Sequence, residues 1–99
     1  MNSMRLEDLL KLKREEIVRT AVRHGAHNVR VFGSVTRGEA DAASDIDFLV
    51  EMAPGRSLLD MGGLLMELRE LLQRDVDIVT ERGLRVEIRD QVLREAVPL

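Results

Sequence analysis

Cysteine is absent from the sequence, which removes disulfides, thiolate nucleophiles and cysteine-ligated zinc from the chemistry it can perform. Tryptophan and tyrosine are absent too, and Phe32 and Phe48 are the whole aromatic complement. A core must therefore be built from aliphatic and methionine side chains, and the stacking platforms that hold unpaired bases are missing. Long apolar runs are also lacking: none approaches the ~20 residues needed to span a bilayer, and no stretch has the form of a signal peptide. The expected location is the cytoplasm, with no membrane partner. Excess positive charge is lacking as well. The formal net charge is −3 despite 15 lysines and arginines, which speaks against stable nucleic-acid binding.

What remains is 44% hydrophobic and 33% charged, the balance of a globular chain. Ninety-nine residues suffice for one small core, so residues 1–99 are expected to form a single domain. Between Met4 and His24 there is no glycine or proline, and Leu6, Leu9, Leu10, Ile17, Ala21 and Val22 recur at helical spacings, with Lys13 interrupting the stripe. This predicts one helix kinked near Lys13 or two abutting helices, with Ser3 as N-cap and Gly25 just past the end. A second helix is expected over Leu58 to Leu72, where Leu58, Met61, Leu65, Leu68 and Leu72 form a stripe widened by Leu64 and Leu71. Ser57 suits its cap and Asp60 its first turn. Gly62-Gly63 costs about 1 kcal/mol per residue relative to alanine, so the pair marks either a close backbone approach or a local kink. A closing helix runs from Val86 to Ala96, with Val86, Arg89, Val92, Leu93 and Ala96 facing inward and Pro98 as its stop.

Three short runs read as strands: Val29 to Phe32, Ile46 to Val50, and Val76 to Val79. The helix between the last two favours a right-handed parallel crossover, whereas the shorter link between the first two permits an antiparallel pair. Three strands cannot bury their own apolar faces, so helices must cover them. The expected fold class is α/β (α+β by some schemes), a short mixed sheet covered by helices.

Asp45-Ile46-Asp47 is the most informative triplet. In a strand Asp45 and Asp47 share one face, about 6.6 Å apart at a rise of about 3.3 Å per residue. Carboxylates at that spacing repel one another unless a divalent cation lies between them. Asp77 repeats the theme between Val76 and Ile78, where strand propensity would not select aspartate. If the second and third strands are neighbours, Asp45, Asp47 and Asp77 compose a hard-oxygen site suited to Mg²⁺. Asp75 has the parity of Asp77 but sits at the helix–strand junction, where a solvated end residue is equally at home. His24 and His27 lack partners at zinc-ligand spacing and read as ordinary surface residues.

Gly33-Ser34 directly follows a strand. Free backbone N–H groups there, with the Ser34 hydroxyl, can hold phosphate oxygens, and glycine lets them approach closely. The spacing of Gly33-Ser34, ten intervening residues and Asp45-Ile46-Asp47 resembles the signature of the DNA polymerase β-like nucleotidyltransferase superfamily. The fuller stretches Val31 to Gly38 and Ser44 to Val50 are similar to its minimal nucleotidyltransferase (MNT) branch. Pro54 to Asp60, Asp75 to Thr80 and Ile88 to Leu99 extend that resemblance.

The resemblance implies a polymerase β-like nucleotidyltransferase core, two Mg²⁺ ions, and transfer of a nucleoside monophosphate from a nucleotide triphosphate, with ATP as the expected substrate. Asp45 and Asp47 match the paired metal ligands, and Asp77 matches the third carboxylate that helps activate the acceptor. Gly33 and Ser34 match the triphosphate-binding turn. Arg37, in the adjoining turn, can touch phosphate or stand as a solvated arginine. MNT proteins pair with HEPN-domain toxins, so the implied role is an antitoxin that transfers AMP to a tyrosine of a HEPN partner. Two other readings compete: an antitoxin that neutralises its partner by binding alone, and a nucleotidyltransferase acting on an RNA end or a small molecule. A homodimer or a complex with the HEPN partner is the expected assembly.

Overall fold

The computed structural model describes residues 5–38 and 45–99; Ser3 and the polar stretch Glu39 to Ser44 lie outside the described residues. The first helical segment divides into α1 (Leu6–Leu12) and α2 (Arg14–Arg23), with Lys13 between them at φ −96° and ψ 6°. Hydrogen bonds continue past the break, Lys13 N–H to the Leu9 carbonyl and Ile17 N–H to the Lys13 carbonyl, both 2.9 Å. The helical geometry is thus interrupted at Lys13 while its own N–H and C=O keep helical partners. Gly25 ends α2 at φ +78°, a conformation costly for any residue with a Cβ.

β1 spans Ala26–Phe32 and begins earlier than the sequence pattern suggests, because its register shifts between His27 and Arg30. Asn28 lies there at φ +49°, and such an irregularity hides the two-residue alternation. A short 3₁₀ turn, Gly33–Val35, follows directly. β2 is Ile46–Met52, α3 Leu58–Leu72 and β3 Val76–Val79; a second 3₁₀ turn, Glu81–Gly83, leads to α4, Val86–Glu95. The chain then adds β4, Val97–Pro98, which the pattern did not suggest. Pro98 thus stands in a strand, not as a bare helix stop. At two residues β4 is too short to alternate, and proline is tolerated because it lies at a sheet edge.

The strand order is β3-β2-β1-β4. β2 and β3 are parallel and β1 is antiparallel to both β2 and β4, so the parallel relation of β2 and β3 and the antiparallel pair of β1 and β2 are as expected. The four-stranded mixed sheet is the α/β arrangement expected from the sequence, with one more strand. Ile46, Phe48 and Val50 of β2 point into the main core with Ile17, Ala21, Leu64 and Leu68. Leu49 points the other way, toward Leu84 and Val92.

α3 is capped as its sequence suggests. The Ser57 hydroxyl accepts from the Leu59 N–H at 3.2 Å, and the Ser57 N–H donates to Asp60 Oδ2 at 2.9 Å. Its sealed seam is Leu64, Leu68 and Leu72. Leu58, in the first turn of α3, is 83% exposed. Val22 and Val86, also expected inward, are exposed at 62% and 74%. The helical period selects a stripe, but the facing surface sets its width. Gly62 has open space around it, whereas a Cβ on Gly63 would meet the His24 ring at 2.8 Å. Gly63 is thus a close approach, and α3 continues through both glycines. Among the described residues no helix is long and apolar enough to cross a membrane.

Candidate functional site

Three elements meet at one end of the sheet: the start of β2, the middle of β3, and the turn after β1. Parallel pairing sets Asp47 opposite Asp77, and antiparallel pairing sets Asp47 opposite Phe32, the last residue before the turn. Cross-strand neighbours project to the same face. Asp47 and Asp77 therefore stand side by side on the face opposite Phe48 and Ile78. Asp45 has the same parity but lies just before β2 and is exposed. Asp75 is exposed and pairs with Arg69 at 3.1 Å, so it is the solvated end residue. Its carbonyl accepts from the Ile46 N–H at 3.0 Å and helps fix the strand register.

The Asp47 pKa is held above the ordinary aspartate value, first by burial and then by the negative charges of Asp77 and Asp45. Arg37 opposes this shift, so its guanidinium lies within electrostatic reach of Asp47. Glu95, at the end of α4, steadies Arg37 through contacts of 3.1 and 3.4 Å. Sequence reading did not pick out Glu95. Its only sequence signal is an acidic residue closing α4, and no periodicity connects it with Arg37.

Gly33 closes the arrangement from the other side. Its φ is +82°, and a Cβ added there would run into Asp47 Oδ2. Its carbonyl accepts from the Thr36 N–H at 3.1 Å, the Arg37 N–H at 3.3 Å and the Thr36 hydroxyl at 2.9 Å. The turn is thereby held tight, with Ser34 half-buried next to Gly33.

Among the described residues no three carboxylate or histidine side chains already converge on one cation position. Asp47 and Asp77 form the adjacent pair, with Asp45 near enough to act on Asp47 electrostatically. This all-oxygen donor set, crowded with like charge, has the chemistry of a hard divalent cation site. The glycine that leaves room beside Asp47 fits the same chemistry.

His24 is less peripheral than its sequence position suggests. Its Nε2 meets Glu67 Oε1 at 3.1 Å, and Arg23 meets Glu67 Oε2 at 2.8 Å. The bond to His24, then the charge of Arg23, holds the Glu67 pKa below the usual range. This cluster ties α2 to α3 and is separate from the carboxylates. His27, by contrast, is exposed and reaches Glu51 only at 3.5 Å.

Comparison with known proteins places this geometry in context. Residues 12–99 match the family model described as "Nucleotidyltransferase domain". The protein adenylyltransferase MntA of Thermococcus cleftensis is 38% identical over 92 residues, covering 93% of this chain and 90% of the relative. A solved structure assigned by inference as a minimal nucleotidyltransferase is 52% identical, with a TM-score of 0.85 and complete coverage of both chains. A crystal structure of a toxin–antitoxin with AMP-PNP is 25% identical with a TM-score of 0.71, covering 89% of this chain and 70% of that one.

Proposed function

This chain belongs to the nucleotidyltransferase domain family, and from that premise we propose that it is a Mg²⁺-dependent protein adenylyltransferase that moves AMP from ATP to a tyrosine of a HEPN-domain toxin. In this reading it is a cytoplasmic antitoxin. The observation that carries the proposal is the side-by-side placement of Asp47 and Asp77 against the Gly33 turn. The adenylyltransferase name of one relative supports the donor and the class of acceptor. The AMP-PNP complex of a structural neighbour supports a nucleotide substrate, and its toxin–antitoxin description supports a toxin as partner.

Asp45, Asp47 and Asp77 would hold Mg²⁺, expected as two ions, which when bound supplies charge neutralisation at the triphosphate and acidifies the acceptor hydroxyl. The backbone of Gly33-Ser34 and the Ser34 hydroxyl receive phosphate oxygens. Arg37, braced by Glu95, adds positive charge beside them. Asp77 takes the acceptor proton as the hydroxyl oxygen bonds to the α-phosphorus. The bond from that phosphorus to the departing pyrophosphate breaks in the same step. The protein contributes alignment and charge placement more than covalent chemistry.

The decisive experiment incubates the protein with its genomic neighbour, labelled ATP and Mg²⁺. Label appears on the partner and is lost with an Asp45→Asn/Asp47→Asn double variant. Tight complex formation without label selects neutralisation by binding, and label on RNA or a small hydroxyl compound moves the acceptor elsewhere. Light scattering of the protein alone and mixed tests the expected homodimer and partner complex.

A further inference from the structure

β3 is an edge strand: in the order β3-β2-β1-β4 it pairs with β2 alone. The phase of that pairing determines which of its backbone groups are committed. Because the Ile46 N–H donates to the Asp75 carbonyl, the Asp77 amide and carbonyl turn toward β2 in this parallel ladder. Those of Val76 and Ile78 turn the other way. Among the described residues no strand pairs with that outer side. An unpaired edge is a template for another extended chain, and this one runs beside the carboxylates.

Parity then decides what an added strand would present. A residue lying laterally against Asp77 projects its side chain to the face that carries Asp77 and Asp47. Its two neighbours project to the opposite face, where half-buried Ile78 and Leu71 border the main core. The edge therefore offers a carboxylate neighbour to one position and an apolar margin to the positions on either side.

We infer that the acceptor is delivered as an extended segment of the partner protein, added antiparallel to β3 with its hydroxyl residue beside Asp77 and apolar residues flanking it. This rests on the proposed transfer to a protein hydroxyl and adds how that hydroxyl is held. The acceptor residue is a non-hydrogen-bonded neighbour of Asp77, and its two flanking residues exchange N–H···O bonds with Val76 and Ile78. Main-chain bonds supply affinity, and the alternation of side chains supplies selection. The short edge engages only a few residues, which suits a substrate that must leave again after transfer.

The probe is a set of fluorescent octapeptides with a central tyrosine, valine on both sides and lysine at the ends. Each carries one N-methyl amide at a different position. Anisotropy reads binding, and labelled ATP with Mg²⁺ reads transfer. Methylation of either valine amide is expected to weaken binding at least tenfold, whereas methylation of the tyrosine amide leaves it within about twofold; transfer follows the same alternation. Equal sensitivity at every position, sensitivity at none, or sensitivity at the tyrosine amide alone overturns antiparallel addition. Failure of the unmethylated peptide to bind overturns it too. Peptides that bind with the expected alternation yet are never labelled leave the edge standing and count against the transfer reading. Label on the intact partner, with peptides that show no alternation, does the reverse.

Discussion

On one face of β2, Ile46, Phe48 and Val50 are sealed within the main core; on the other, Asp45, Asp47 and Leu49 follow the same backbone, and only Leu49 is sealed. Full burial of an aliphatic or phenyl side chain stabilises a fold by about 1.5–3 kcal/mol. The opposite face gathers like charges, and burial, then the neighbouring Asp77 and Asp45 carboxylates, raise the Asp47 pKa. A carboxylate whose folded pKa lies above its unfolded value weakens the fold wherever it is ionised. One strand therefore has a stabilising side and a side that is held in place against its own preference. The packed side makes the charged side tenable.

The largest effect should come from breaking the packed face. Phe48→Ala is expected to cost about 3–5 kcal/mol in urea unfolding. The exposed Leu58→Ser should change stability by less than about 0.5 kcal/mol. Similar losses from both would mean that the sealed face of β2 is not a main source of stability.

Breaking the charged face should do the opposite. Asp77→Asn is expected to lower transfer about 100-fold, equivalent to roughly 2.7 kcal/mol of transition-state stabilisation. Its melting temperature in chelator at neutral pH should equal or exceed that of the wild type, because one repelling charge is gone. A clear fall in melting temperature with undiminished transfer would make Asp77 a structural residue.

Glycines sharpen the contrast with a smaller effect. Gly33→Ala combines a strained φ with a contact against Asp47, and should cost about 1–3 kcal/mol as well as activity. Gly62→Ala, in open space within α3, should gain about 0.5–1 kcal/mol. Thermal melts of the two variants should move in opposite directions.

The smallest effect belongs to the cap of α3. The Ser57 N–H, then the Arg56 side chain, depresses the Asp60 pKa. Stability from a depressed carboxylate is present above its unfolded pKa and is lost as pH falls through the folded value. Asp60→Asn should therefore melt slightly below the wild type at pH 7, and acidification should close that gap. A deficit independent of pH would assign the effect to shape instead of charge.

Much of this was legible from residue order. α3 and β3 were bounded correctly because their patterns are uninterrupted and Ser57 announces the helix start. The parallel crossover followed from the helix between β2 and β3, and with it the meeting of Asp47 and Asp77. Other features depend on tertiary contact that no local period encodes. β4 is visible only once β1 offers it an edge, the Asn28 irregularity masks the start of β1, and Glu95 finds Arg37 across 58 positions. Leu58, Val22 and Val86 fit helical stripes but face no partner surface among the described residues.

The crossover also has a kinetic meaning. Asp47 and Asp77 are thirty positions apart, and their strands become neighbours only when the crossover through α3 has closed. Helices form from local contacts within about a microsecond, but pairing distant parallel strands must first overcome the entropy of closing the intervening loop. Competence to transfer should thus return with the last phase of refolding, well after helical signal recovers. Measured beside far-ultraviolet circular dichroism, recovery of activity becomes a clock for completion of the sheet.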